Sequence, residues 1–186
     1  MPLVRSAPPS GLTESLHLPP SAKVLQSCSV GLGSDGQEPG WLVVTNQGLA
    51  VGLSGGLAPL EHTDWVGLER LKVKRQNQVA KRGAAAWLTI YLLGQDRPLC
   101  LLLPNQAKRI ASLINERFQA SLVTVEYLDL PGGRLRAALR RNSSDQLEVQ
   151  VFVPPELDEA DPKVTKAISL LCERLSEGAG GLAKTW

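Results

Sequence analysis

Aromatic residues are scarce in this sequence, with Trp, Tyr and Phe together making up 4% of its 186 residues. A core must be assembled from Leu, Val, Ile and Ala instead, and a site built on stacked bases or an aromatic cage has little material to draw on. Histidine is scarcer still, limited to His17 and His62. The three cysteines, Cys28, Cys100 and Cys172, are widely spaced among apolar neighbours. They form neither a disulfide framework nor a CxxC metal pair, so inert core thiols are expected. No apolar run reaches the roughly 18 residues that suggest a transmembrane helix. Met1 to Pro20 lack the basic start and apolar stretch of about 7–15 residues of a secretory signal, which makes a cytoplasmic location the expectation. A dominant charge is missing too: 20 Lys and Arg against 18 Asp and Glu leave a net +2. That is far from the balance of a dedicated nucleic-acid binder.

What is present is an ordinary globular composition, 43% hydrophobic and 20% charged, enough apolar material for a core in each half. Residues 1–20 carry five prolines and no sustained periodicity, the composition of a flexible leader, and the fold is expected to start near Ser21. Lys23 to Val30 alternates as a first strand. Trp41 to Asn46 and Gly48 to Ser54 are apolar, β-branched runs across Asn46-Gln47-Gly48, a hairpin whose Asn and Gly accept positive φ. Leu57 to Trp65 gives a short strand interrupted by Pro59. Leu68, Leu71 and Val73 then intersperse with charged residues as in a half-buried strand. Ala84 to Leu93 and Arg97 to Leu103 form a second hairpin, apolar on both faces and so suited to the middle of a sheet or to cover by a helix. That helix follows: Asn105 can cap it, and Ala107, Ile110, Ala111, Ile114 and Phe118 recur at intervals of three and four.

A second unit begins with no linker. Ser121 to Leu130, Arg134 to Arg141 and Gln146 to Val153 are strands separated by Pro131-Gly132-Gly133 and by Asn142-Ser143-Ser144-Asp145. In the latter two strands apolar and polar residues alternate, so each is expected to bury one face and wet the other. Asp158 or Asp161 caps a final helix, Pro162 suits its first turn, and Val164, Ala167, Ile168, Leu171 and Leu175 form its apolar stripe up to a stop at Gly178. The fold class is therefore α+β. A bent antiparallel sheet or partly open barrel of about seven strands is closed by a helix, and a three-stranded meander with a C-terminal helix follows. The expected boundaries are a leader at 1–20, a first unit at 21–120, a βββα unit at 121–178 and a tail at 179–186.

Two resemblances add to this reading. The strand Trp41-Leu42-Val43-Val44-Thr45-Asn46 and its tight hairpin, within seven strands closed by a helix, make residues 20–120 resemble the bacterial pleckstrin-homology-like and GRAM-like folds. The stretch from Gly132 to Gly178 is similar to a conserved-hypothetical module of actinobacterial proteins, on Gly133-Arg134-Leu135-Arg136, Arg140-Arg141, Leu157-Asp158 and Asp161-Pro162. This second resemblance implies a bacterial origin and no activity. Eukaryotic members of the pleckstrin-homology class hold phosphoinositides through basic residues on the first two strands and the loop joining them. Here that loop, Ser29 to Gly40, has Asp35 and Glu38 and no Lys or Arg. Phosphoinositide is thus not the expected ligand, and the resemblance implies a protein or peptide interaction module.

Two basic rows are the positive functional signals. Arg70, Lys72 and Lys74, followed by Arg75, Lys81 and Arg82, fall at alternate positions of one strand, where they can share a face and meet phosphate or carboxylate; a solvated outer face gives the same pattern. Arg134, Arg136 and Arg140, beside Arg141, form a row on the middle strand of the meander, with Glu126 and Glu148 on neighbouring strands able to pair with it. His62, in Glu61-His62-Thr63-Asp64, is the one candidate general base, and no nucleophile turn or metal-ligand spacing accompanies it. Gly31-Leu32-Gly33-Ser34-Asp35-Gly36 precedes no helix and carries no Lys or Thr, so it is not a phosphate loop. The acidic group Glu156, Asp158, Glu159 and Asp161 suits the positive end of the last helix. No catalytic residue, cofactor or metal is expected. The leading expectation is a non-catalytic binding or scaffold protein engaging a protein partner. The alternative is nucleic-acid or polyanion binding through the basic strand faces.

Overall fold

A computed structural model describes residues 14, 16–32, 36, 38–53, 60–75, 86–95, 97–103, 107–179 and 184–185. The chain divides into two units, Met1–Phe118 and Gln119–Trp186. The first contains β1 (Val24–Leu32), β2 (Glu38–Thr45), β3 (Gly48–Leu53), β4 (Leu60–Asp64), β5 (Leu68–Arg75), β6 (Ala86–Leu92), β7 (Leu99–Leu103) and all but the last two residues of helix α1 (Ala107–Ala120). The seven strands form one antiparallel sheet in the order β4-β3-β2-β1-β7-β6-β5. Local hairpins build its two halves. They are joined where Gly31 and Leu32 of β1 lie opposite Leu102 and Leu101 of β7. The sheet curls into a half-barrel, with β1 at its centre and β4 and β5 at its edges.

The concave face is filled as the composition requires, by aliphatic side chains. Leu42, Val44, Leu49 and Val51 meet Leu88, Ile90, Leu101 and Leu103, and α1 adds Ile110, Ala111, Ile114 and Phe118. A 14-residue helix is marginal alone. Burying each large aliphatic side chain contributes about 1.5–3 kcal/mol, so this packed face holds the helix in place. Asn105, the expected cap, lies outside the described residues.

The first hairpin is where expected, but its turn works differently. Neither Asn46 nor Gly48 has a positive φ. Instead the Thr45 hydroxyl accepts the amides of Gln47 at 3.1 Å and Gly48 at 2.9 Å. Asn46 Oδ1 accepts the Lys23 amide at 2.6 Å. Glycine is required at 48 by crowding, since a Cβ there would collide with the Thr63 carbonyl.

Packing also reaches back before Ser21, where the sequence reading starts the fold. Leu16 is fully buried with Val43 and Ala50, beside Leu18 and Trp41, and its carbonyl accepts the His62 amide at 3.3 Å. Leu16 and Leu18, just ahead of the Pro19-Pro20 pair, thus pack on this side of β2 and β3.

The second unit comprises β8 (Leu122–Leu130), β9 (Gly133–Arg141), β10 (Leu147–Phe152), helix α2 (Pro162–Gly178) and β11 (Lys184–Thr185). The sheet order is β11-β10-β9-β8. The meander is antiparallel, and β11 adds a short parallel pairing to β10 from within the segment read as a tail. Leu135, Ala137, Leu139 and Val149 pack on Val164, Ala167, Leu171 and Leu175 of α2. Of the two candidate caps, Asp161 is the one used: its carboxylate accepts the Lys163 amide at 2.8 Å and Pro162 opens the first turn. Asp158 instead accepts the Ala160 amide just upstream.

The other face of this sheet departs from the expected wet surface. Ala138, Arg140, Glu148 and Gln150 are all buried there. A strict alternation shows which face packs on the helix, but it does not require the opposite face to be open. Among the described residues, no helix is long and apolar enough to cross a membrane.

Candidate functional site

Strand register builds the first candidate surface. On β5, Arg70, Lys72 and Lys74 are exposed and stand opposite Tyr91, Thr89 and Trp87 of β6. Alternate residues of a strand lie about 6.5–7 Å apart on one face, so the three cations form a straight row. The Arg70 guanidinium lies 4.1 Å from the centre of the Tyr91 ring and the Lys72 ammonium 5.4 Å from it. The ring's negative face steadies two of the three cations at the surface. Among the described residues, no ion pair neutralises Arg70, Lys72 or Lys74. Arg75 continues β5 opposite Ala86; Lys81 and Arg82 lie outside the described residues. Trp87, the other aromatic on this face, is approached by Gly36 of the β1–β2 connection.

The second basic row does not form a comparable surface, because its three arginines have three different surroundings. Arg134 is exposed and paired by a forked contact with Asp129, its cross-strand neighbour, with the second bond at 3.2 Å. That pairing lowers the Asp129 pKa and raises that of Arg134. Arg136 is half-buried, its guanidinium 4.7 Å from the centre of the Phe152 ring. Arg140 is 1% exposed. It donates to Ser121 Oγ at 2.7 Å and stands directly opposite buried Glu148 in the strand register. Burial, and secondarily the nearby Arg136 charge, lower its pKa to about 10, so it stays charged at neutral pH. Arg140 is thus a structural cation, and the expectation that it faces solvent is corrected. Of the two carboxylates expected to pair with this row, Glu148 faces Arg140, while Glu126 faces Ala137. The two rows belong to separate units.

His62 is tied into the first hairpin. Its Nε2 lies 3.0 Å from Thr45 Oγ1, and Thr45 is fully buried. Burial lowers the imidazole pKa from 6.5, with the Asp64 charge partly opposing. Asp64 itself accepts the Val66 amide at 3.2 Å and caps the short 3-10 turn at Trp65–Gly67. All three cysteines are free thiols. Cys28 is in the core and burial pushes its pKa up to about 12. Cys172 borders the second core, whereas Cys100 is half-buried opposite Thr89, outside the first core.

Sequence reasoning did not find the groove between β8 and α2. It is open, about 370 Å³ in volume, and lined by Leu128, Lys163, Lys166, Leu170 and Glu173 among others. Its one advance signal was Leu170, an apolar residue off the helix's core stripe that is 39% exposed. No protein-family model matches the chain, and no curated protein is significantly similar to it.

Proposed function

We propose that this chain is a non-catalytic binding protein whose first unit holds an acidic segment of a protein partner across the outer face of β5 and β6. The observation that carries this is the exposed row of Arg70, Lys72 and Lys74, with Arg70 and Lys72 set over Tyr91. Carboxylates on an extended partner strand repeat at the same two-residue spacing and can meet the row in register. The half-barrel with a helix following β7 supports the pleckstrin-homology-like resemblance, and the basic-free Ser29–Gly40 stretch supports a peptide rather than a phosphoinositide as ligand. His62 supports the non-catalytic reading, since its Nε2 and the Asp64 carboxylate are both engaged in holding local structure.

Nucleic-acid or polyanion binding uses the same cations. It is less well supported, because Tyr91 lies under Arg70 and Lys72 rather than being open for a base to stack on it. Fluorescence anisotropy with labelled poly-glutamate and with a labelled single-stranded DNA oligonucleotide separates the readings. The proposal expects the poly-glutamate to bind at low salt. The triple variant Arg70→Glu, Lys72→Glu, Lys74→Glu should lose at least about tenfold in affinity, as like charges then face each other. Unchanged binding in that variant, or tighter binding of the oligonucleotide than of the peptide, overturns it.

A further inference from the structure

The cations of β5 border a strip of different character. Strand register carries the face across β6 to β7: Lys72 stands opposite Thr89 and Thr89 opposite Cys100, while Lys74 stands opposite Trp87 and Trp87 opposite Leu102. Opposite residues of antiparallel strands share a face. Two contacts agree with this. The Cys100 thiol lies 4.0 Å from Thr89 Oγ1, and a Cβ on Gly36 would come within 3.2 Å of the Trp87 and Leu102 side chains alike. Trp87, Thr89, Cys100 and Leu102 are all half-buried, and none of them belongs to the three hydrophobic clusters among the described residues. The outer face therefore has two lanes, exposed cations on β5 and a shallow, uncharged lane on β6 and β7.

A segment of acidic residues alone would leave the second lane unused. An extended chain laid flat along β5 sends successive side chains to left and right, and those on one side repeat about every 6.5–7 Å. Arg70, Lys72 and Lys74 have the same two-residue repeat. Carboxylates at the first, third and fifth positions can then meet the three cations. The second and fourth side chains fall over the β6–β7 lane, one on each side of the Thr89–Cys100 row. Granted the acidic-segment reading on which this rests, we infer that the bound segment is amphipathic: five extended residues in which carboxylates alternate with apolar side chains. The order of the residues, and not their charge alone, then sets the affinity. The Tyr91 ring, held by Arg70 and Lys72, borders one end of the lane, and Gly36 approaches the other. Because the lane is half-buried rather than projecting, it suits a chain laid along it and not insertion into a bilayer.

Fluorescence anisotropy of the full chain with three labelled peptides tests this: Glu-Val-Glu-Val-Glu, the same residues in blocks as Glu-Glu-Glu-Val-Val, and Glu-Ser-Glu-Ser-Glu. The alternating Glu-Val peptide should bind at least about tenfold more tightly than either of the others. Cys100→Asn with Leu102→Asn should remove that preference and leave the affinity for the Glu-Ser peptide unchanged. The comparison of peptide order uses the unaltered chain, so it remains decisive even if the double variant folds poorly. If the alternating peptide binds no better than the other two, while Arg70→Glu, Lys72→Glu, Lys74→Glu still abolishes binding, the inference is overturned and the acidic-segment reading stands. A preference that persists in the double variant places the apolar contact elsewhere and also overturns it. So does binding to phosphatidylserine vesicles that the double variant loses, without any peptide preference, since the lane then belongs to a lipid surface. Failure of all three peptides to bind removes the reading and the inference together.

Discussion

Thr45 has one hydroxyl proton, and the partners around it decide the protonation state of His62. Its oxygen already accepts the amides of Gln47 and Gly48, which occupies both lone pairs. The proton is left to be donated, to His62 Nε2 at 3.0 Å or to the Gly48 carbonyl at 3.1 Å. A neutral imidazole with its hydrogen on Nδ1 can accept at Nε2. A charged one would bring a donor against an oxygen whose lone pairs are filled. This agrees with the lowered pKa, of which burial is the main cause. Because the folded value lies below the unfolded 6.5, the unfolded chain takes up the proton first. The contribution of neutral His62 is therefore complete above pH 6.5, declines as the pH falls toward the folded value, and is constant below it. Melting temperatures measured down a pH series should show wild type losing its advantage over His62→Gln across that window. Parallel curves would refute the assignment. The same hydroxyl explains why the hairpin was readable in Asn46-Gln47-Gly48 while its mechanism was not: the turn depends on a threonine outside the usual signal and on His62 from the strand after next.

Helix α2 is the element whose sequence signals were most complete, because each acts within a few residues. Asp161 supplies the cap, Pro162 fills the position where an amide would go unpaired, and the stripe Val164, Ala167, Leu171, Leu175 turns one face to the sheet. Asp161→Ala should cost about 0.5–2 kcal/mol, while Asp161→Ser should cost much less, since serine caps nearly as well. Urea unfolding monitored by circular dichroism measures both; no loss in Asp161→Ala would show that the cap contributes nothing, and an equal loss in both variants would show that the stabilisation is not capping that serine can replace. Strands were legible to the same local depth and no further. The period-two pattern of β9 identified Leu135, Ala137 and Leu139 as the packed side, yet gave no sign that Arg140 and Glu148 are buried on the other. Nor does any residue announce that a strand is an edge. β5 and β8 are both edges by sheet order alone, and their different chemistry, lysine-rich against lysine-free, takes on meaning only once that order is known.

At the scale of the whole molecule, the long-range step that no local signal carried is the pairing of β1 with β7, which brings Gly31 beside Leu102 across some seventy residues of chain. That closure makes one core from all seven strands and α1, while β8–β10 and α2 make another, and the two clusters have no buried residue in common. Each core contains a helix, a sheet and an aliphatic interior, so each has the parts of a cooperative unit. Leu171, fully buried at the centre of the second cluster, discriminates between one such unit and two. Leu171→Ala removes packing worth about 2–5 kcal/mol at a site of this kind. If the units unfold separately, native-state hydrogen exchange should show protection falling by that amount at Leu139 and Val149. Val43 and Leu49 in the first unit, both fully buried, should keep their wild-type rates. An equal loss at all four positions would mean that the chain unfolds as one body and that the division into two units holds for packing but not for stability.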